Sequence, residues 1–254
     1  MKKRKLLELL PAEFSGHHYL SKADIDVICK KLHWDIKGET LKRYLAEWRG
    51  KGLIYSAGRG WYSDLPQAFS LYTEPLIEMS TFLKTTFPLL DMIFWSTRQL
   101  SVFYHHLPGK FHTFIYVDRY SIPDIVSSLR EKYPEYTILE DPGKRESARF
   151  IVNDNNIIVR PILYDDRKYA DSDSFLHIEN ILVDFAIESE ALSIVDGAEY
   201  SCIVDNIASS ARIKPGVIIR RLTRRNVKNQ YTDILWKYFQ KEKENPPMSK
   251  KIKN

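Results

Sequence analysis

The stretch Lys37–Ser63, KGETLKRYLAEWRGKGLIYSAGRGWYS, decides how the start of this chain folds. Leu41, Tyr44, Leu45 and Trp48 recur at i, i+3, i+4 and i+7, the spacing that puts four side chains on one face of a helix. The opposite face carries Glu39, Lys42, Arg43 and Ala46, with Glu47 at its margin, a slender polar strip that is net basic. Gly50 and Gly52 stop this helix. Two short apolar runs, Leu53–Tyr55 and Trp61–Tyr62, then flank Ala57-Gly-Arg-Gly60. Glycines at 58 and 60 permit the positive φ angles of a hairpin turn, which leaves Arg59 at its tip. A helix with a basic outer strip, followed by a hairpin tipped with arginine, is the arrangement of a DNA-reading helix and its wing.

Working upstream, residues 2–10 predict a short helix ended by Pro11. Ser21 opens a second helix, with Asp24 three positions on in a weak form of the capping box. Ile25, Ile28, Cys29 and Leu32 form its apolar stripe, and the link His33–Lys37 is short. Helix, helix, short turn, helix and hairpin within residues 1–63 is the order of a winged helix-turn-helix. Its DNA-binding candidates are Lys37, Thr40, Lys42, Arg43 and Arg59. The plain alternative is a small helical domain whose basic face meets only water.

The totals bound the rest. At 254 residues the chain has room for two domains of ordinary size. Its net charge of +5 conceals a division: +6 over residues 1–63, −11 over 64–211 and +10 over 212–254. Two basic ends around an acidic middle point to a polyanion partner for the ends. No apolar run reaches a membrane span. The Met1–Lys5 start is followed only by Leu6–Leu10, interrupted by Glu8, which is too short for a secretion signal. The two cysteines, Cys29 and Cys202, lie far apart in helical apolar patterns and read as small buried hydrophobes rather than a disulfide or zinc framework. A cytoplasmic location is expected.

Downstream, Asp64–Tyr72 reads as a connector, and Thr73 with Pro75 starts a helix carrying Leu76, Met79 and Leu83. From there strands and helices alternate. Met92–Trp95 is a strand; Ser96–Gln99 is a capping box for a helix carrying Leu100, Phe103, Tyr104 and Leu107; Thr113–Val117 is a strand. A helix with Ile125, Val126 and Leu129 follows, then a strand at Tyr136–Leu139. Phe150–Val152 and Ile157–Leu163 read as a hairpin about the turn Asn153–Asn156. The chain then returns to helices: Ile178, Ile181, Leu182 and Phe185 in one, Ile203, Val204 and Ile207 in the next. Pro215 opens IIRRLTRRN, where Arg220 and Arg224, and Arg221 and Arg225, lie along neighbouring rows. The segment Ile234–Phe239 ends the helical part. The expected class is α+β: a winged helix-turn-helix at 1–63, a connector and linking helix at 64–90, a mixed α/β domain with C-terminal helices at 91–240, and a disordered basic tail at 241–254.

No GxxxxGK[ST], GxGxxG, GxSxG or HExxH pattern occurs. His105 and His106, read as neighbours on a helix, would point well apart and make a poor metal pair. A nucleotidyltransferase site needs two carboxylates one residue apart on the strand after a Gly-Ser turn, to hold two metal ions. Here the strand ends Val117-Asp118-Arg119-Tyr120, with one carboxylate, so Asp118 reads as a strand-end cap. No catalytic residue, metal ligand or cofactor is expected. The arginines Arg220, Arg221, Arg224 and Arg225 fit contact with phosphate, with the acidic middle of the same chain, or with an acidic partner.

The winged-helix start, then FWSTRQLSVFYHHLPGKFHTFIYVD, IIVRPIL, IENILVDFA and CIVDNIASSARIKPGVIIRRLTRRN, together resemble the AbiEi-like antitoxins and transcriptional regulators of bacterial abortive-infection systems. The resemblance runs from about Ser21 to Arg225 and consists of spaced apolar and small motifs. It implies an autorepressor that binds operator DNA through the helix around Thr40, Lys42 and Arg43 and the wing at Arg59. It further implies an antitoxin that counters a separate nucleotidyltransferase toxin without a stable complex. The acidic middle departs from the basic C-terminal surface of that family. The expected partners are therefore double-stranded operator DNA, bound by pairs of molecules on inverted repeats, and a nucleotidyltransferase toxin. Two rivals stand beside this reading: a divergent nucleotidyltransferase-like enzyme, requiring a second carboxylate folded against Asp118, and a winged helix that binds protein rather than DNA.

Overall fold

The computed structural model describes residues 2–15, 17–106, 108–143, 155–163, 168 and 170–240. Its class is α+β, with two small sheets among the helices. None of the described helices is long and apolar enough to cross a membrane.

The first 63 residues build one core. Helix α1 (Lys2–Phe14), strand β1 (Tyr19–Ser21), α2 (Lys22–Lys31), α3 (Gly38–Gly50), β2 (Tyr55–Ser56) and β3 (Trp61–Ser63) enclose Leu6, Leu10, Phe14, Leu20, Ile25, Leu41, Leu45 and Trp48. The predicted stripes of α2 and α3 are the buried ones. Ser21 and Asp24 close the capping box in both directions, at 3.2 Å and 2.7 Å. Helix α1 does not stop at Pro11. It runs on to Phe14, because Phe14 is buried against the core and holds one more turn in place despite the missing N–H. Strand β1 is unpredicted: at three residues it carries no periodicity, and it exists by pairing antiparallel with β3, giving the order β1-β3-β2.

The second sheet runs β4-β5-β7-β6, from β4 (Ile93–Ser96), β5 (Phe111–Val117), β6 (Thr137–Glu140) and β7 (Asn155–Pro161). Strands β4 and β5 are antiparallel; β5, β7 and β6 are parallel. Alternation along the strands feeds two cores. Ile93, Trp95, Phe114, Tyr116 and Ile158 face the helices α6 (Ile178–Leu192), α7 (Gly197–Ser210), α8 (Pro215–Arg225) and α9 (Gln230–Phe239). Phe94, Ile115, Val117, Ile157 and Val159 face α4 (Glu74–Thr86) and α5 (Ile122–Lys132). The expected hairpin fails at its turn, since Asn155 and Asn156 are already in β7 and pair with Phe111 and His112 of β5. Its proposed first strand, 150–152, lies outside the described residues, as do Leu107 and the tail 241–254.

The capping box at Ser96 and Gln99 forms, but the helix it opens is a 3-10 helix, Thr97–Phe103, not an α-helix reaching Leu107. The chain turns away because α7 offers partners elsewhere. Asn206 Nδ2 donates to Phe103 O at 2.8 Å, and Glu199 Oε1 accepts the His105 N–H at 2.6 Å. Thr73 precedes α4 without a side-chain capping bond.

The connector and the N-terminal unit are held to the body. Tyr19 and Ala57 belong to the core of α6–α9, not to that of α1–α3. The Tyr19 hydroxyl lies 3.1 Å from Ala208 O and Ala211 O and accepts the Ile213 N–H at 3.1 Å. The Phe69 N–H donates to Arg212 O and the Arg212 N–H to Gln67 O, at 2.9 Å and 2.7 Å.

Candidate nucleic-acid interface

The outer strip of α3 is free of the core. Lys37, at the N-cap position, is exposed, as are Lys42, Arg43 and Ala46; Thr40 is half-buried. Arg49 is exposed too and falls seven positions after Lys42, on the same strip. Sequence reasoning passed over Arg49 because it followed the apolar stripe only as far as Trp48. Lys42 Nζ donates to Glu39 Oε1 at 2.6 Å, an exposed pair of the kind that contributes little. At the rear margin Glu47 accepts from Lys3 at 2.6 Å and Lys51 at 2.8 Å, and these hydrogen bonds hold its carboxyl down at about 2. Those two lysines are thereby turned to α3 itself.

The hairpin has the predicted turn. Gly58 and Gly60 adopt φ of +97° and +75°, and Arg59 between them is exposed. This hairpin is not a loose arm. Ala57 is buried, a Cβ at Gly58 would stand 3.5 Å from Lys214 Cβ, and a Cβ at Gly216 would stand 3.2 Å from the Trp61 ring. The Arg212 guanidinium lies 5.2 Å from the centre of the Tyr55 ring and donates to Leu65 O and Pro66 O. Arg49, Tyr55 and Arg212 line one open cleft beside the hairpin. The hairpin thus packs against the start of α8, and Arg49 at the end of α3 lines the same cleft as Arg212.

The four arginines of α8 divide. Arg220 and Arg224 are exposed. Arg221 is 2% exposed and donates from Nη2 to both oxygens of Asp184, at 2.8 Å and 2.7 Å. Of the three readings for this arginine, the structure selects contact with the acidic middle of its own chain, and a guanidinium buried there cannot also meet phosphate. Its partner Asp184 also accepts the Tyr116 hydroxyl at 3.0 Å, and that hydroxyl accepts Trp95 Nε1 at 2.9 Å. One turn along α6, Glu188 accepts from Arg160 at 3.2 Å and 2.7 Å. Burial raises the Glu188 pKa and Arg160 opposes the rise. Arg225, half-buried, adds its charge on the same side, acting on Tyr116 and Glu188.

Asp118 accepts the Tyr120 N–H at 3.0 Å and caps a 3-10 turn at the end of β5. On one side of the end of that strand β7 places Pro161 opposite Val117; on the other, the antiparallel β4–β5 register continued past Ile93 puts Asp91 level with Asp118. His105 and His106 do not sit on a helix as expected. Beyond Phe103 their Nδ1 atoms lie 2.9 Å apart, with His106 Nδ1 3.6 Å from Glu199 Oε2, so the geometric objection to their sharing a ligand falls.

Among known proteins, the model of a family of unknown function, DUF6577, matches residues 40–241. The match opens inside α3 and continues through the β2–β3 hairpin, the four-stranded sheet and helices α6–α9. No curated protein matches. By its extent, four-fifths of the residues, that match places the chain in the family: it belongs to DUF6577.

Proposed function

We propose that residues 1–63 are a winged helix that binds double-stranded DNA, and that the protein is a transcriptional regulator. The observation that carries this is the pairing of an uncovered basic strip on α3 with an exposed Arg59 at the tip of the following hairpin. In this reading α3 enters the major groove, the wide groove that admits a helix, and Arg59 reaches the backbone or minor groove. The short link from α2 to α3 and the order β1-β3-β2 support it. Two molecules on an inverted repeat double the contacts. Autorepression and an antitoxin role against a nucleotidyltransferase rest on the resemblance to AbiEi-like proteins, with the body of residues 91–240 as the part that would act.

The test is a shift assay on the duplex upstream of the protein's own gene, with Thr40, Lys42, Arg43 and Arg59 all changed to alanine. Binding should be lost while the melting temperature is held. Log affinity against log salt should flatten by about 2 to 3 units if each of the three cations neutralises one phosphate, at about 0.9 per contact. Unchanged binding and slope in the quadruple variant would overturn the proposal.

A further inference from the structure

Past the 3-10 helix Thr97–Phe103 the chain lays two adjacent histidines against the first turn of α7. One nitrogen or oxygen atom from each of His105, His106 and Glu199 lies within 4.8 Å of the other two. We propose that these three side chains bind a divalent transition-metal ion of the zinc class, with a further coordination position left to water. The inference stands apart from the DNA-binding reading above, which uses other residues.

Distance is the first ground. A tetrahedral ion bound at about 2.0 to 2.1 Å holds neighbouring ligand atoms roughly 3.3 Å apart. The Nδ1 atoms of His105 and His106 stand 2.9 Å apart, and His106 Nδ1 stands 3.6 Å from Glu199 Oε2, on either side of that value. Both rings are exposed, so the third edge closes by rotation of His105, and each ring can carry its proton on Nε2 toward water while Nδ1 faces the ion.

The second ground is the way the carboxylate is held. Glu199 Oε1 accepts the His105 N–H at 2.6 Å and the His106 N–H at 3.4 Å. The backbone of the two histidines thus fixes the carboxylate and leaves Oε2 for the rings. Further along α7, Asn206 Nδ2 donates to Phe103 O at 2.8 Å and ties the same segment a second time. These bonds place the carboxylate before an ion arrives, which lowers the ordering cost of binding.

Ligand type selects the ion. Two imidazoles with one carboxylate suit zinc, copper or nickel, whereas magnesium and calcium take oxygen ligands. Three protein ligands leave a fourth position for water, the pattern of zinc sites whose ion stays accessible. Among the described residues no other three such side chains converge in this way, so one ion per chain is expected.

Isothermal titration of the whole untagged protein, stripped with a chelator, with zinc chloride tests the proposal. One saturable site is expected, weakened at least tenfold in H105Q/H106Q and in E199Q, and unaltered in H177Q, at an exposed histidine outside the group. The histidine pair alters exposed side chains only, so it decides the matter even if E199Q loosens the segment. Long-range proton–nitrogen spectra of the imidazoles add a readout of ligation itself: zinc should move the Nδ1 resonances of His105 and His106 and leave Nε2 protonated. Absence of saturable binding overturns the proposal. So does unchanged affinity in H105Q/H106Q or in E199Q, an equal loss in H177Q, or resonance shifts confined to other histidines. Magnesium chloride should give no saturable heat, and displacement of zinc by equimolar magnesium would overturn the choice of ion.

Discussion

Replacing Arg221 by methionine removes a guanidinium while keeping the length and apolar stem that pack in the core. Asp184 would then lie at 0% exposure with its main counter-charge gone, retaining only the Tyr116 hydroxyl at 3.0 Å. Removing one partner of a buried ion pair costs about 3 to 5 kcal/mol, because the other charge is left desolvated and uncompensated. The surviving Tyr116 bond places the expected loss at the lower end, about 3 kcal/mol. Arg220→Met and Arg224→Met alter exposed side chains and should each stay within about 0.5 kcal/mol. Urea unfolding followed by circular dichroism reads all three. The double variant Asp184→Leu with Arg221→Met removes both charges and leaves the Tyr116 hydroxyl short of one acceptor, a cost of about 1 to 3 kcal/mol. It should therefore be no less stable than Arg221→Met alone. A loss in Arg221→Met below about 1 kcal/mol, indistinguishable from Arg220→Met, would refute the assignment of this arginine to the interior.

Two further predictions concern stability. His112 is 3% exposed in β5, and burial, with the neighbouring Lys110 charge, lowers its pKa to about 4. An unfolded histidine titrates near 6.5. Between these values the unfolded chain binds a proton that the folded one refuses, so stability is fully present above about pH 6.5 and falls as the pH drops toward 4, by about 3 kcal/mol in all. His112→Phe should remove that contribution to the pH dependence, and an unaltered profile of unfolding free energy against pH would contradict the assignment. Tyr19→Phe leaves the Ile213 N–H without its acceptor and should lower stability by about 1 to 2 kcal/mol. Amide exchange of Ile213 should quicken with it, and protection unchanged from the parent would count against the bond.

Features fixed by local chemistry were legible in the sequence. The stripe of α3, the capping boxes at Ser21 and Ser96 and the glycine turn around Arg59 each depend on residues within a few positions of one another. What escaped was decided across the chain. Strand β1 exists through β3, more than 40 residues away. The 3-10 helix at Thr97 ends where Glu199 and Asn206 capture the backbone. The placement of β7 between β5 and β6 turned an expected hairpin into parallel pairing. The candidate DNA residues were read from their polarity and they do stand outside the core, with Thr40 half covered. Among the arginines of α8 periodicity gave two rows, and it could not say which row faces Asp184, since that carboxylate comes from a helix 37 residues earlier.

The anchoring of Tyr19 also bears on how the protein emerges from the ribosome. Its hydroxyl accepts from a backbone N–H 194 residues later. At about 5 to 20 residues per second, roughly 10 to 40 seconds separate the synthesis of the two groups. The core of Leu6, Ile25, Leu41 and Trp48 can close early in that interval, because all its members come from the first 63 residues. The face with Tyr19, Ala57 and Trp61 cannot, since the surface it covers is made from α6–α9, which are translated last. A nascent chain halted before α8 would therefore carry a closed N-terminal unit with an uncovered aromatic flank, a state on which a chaperone could act.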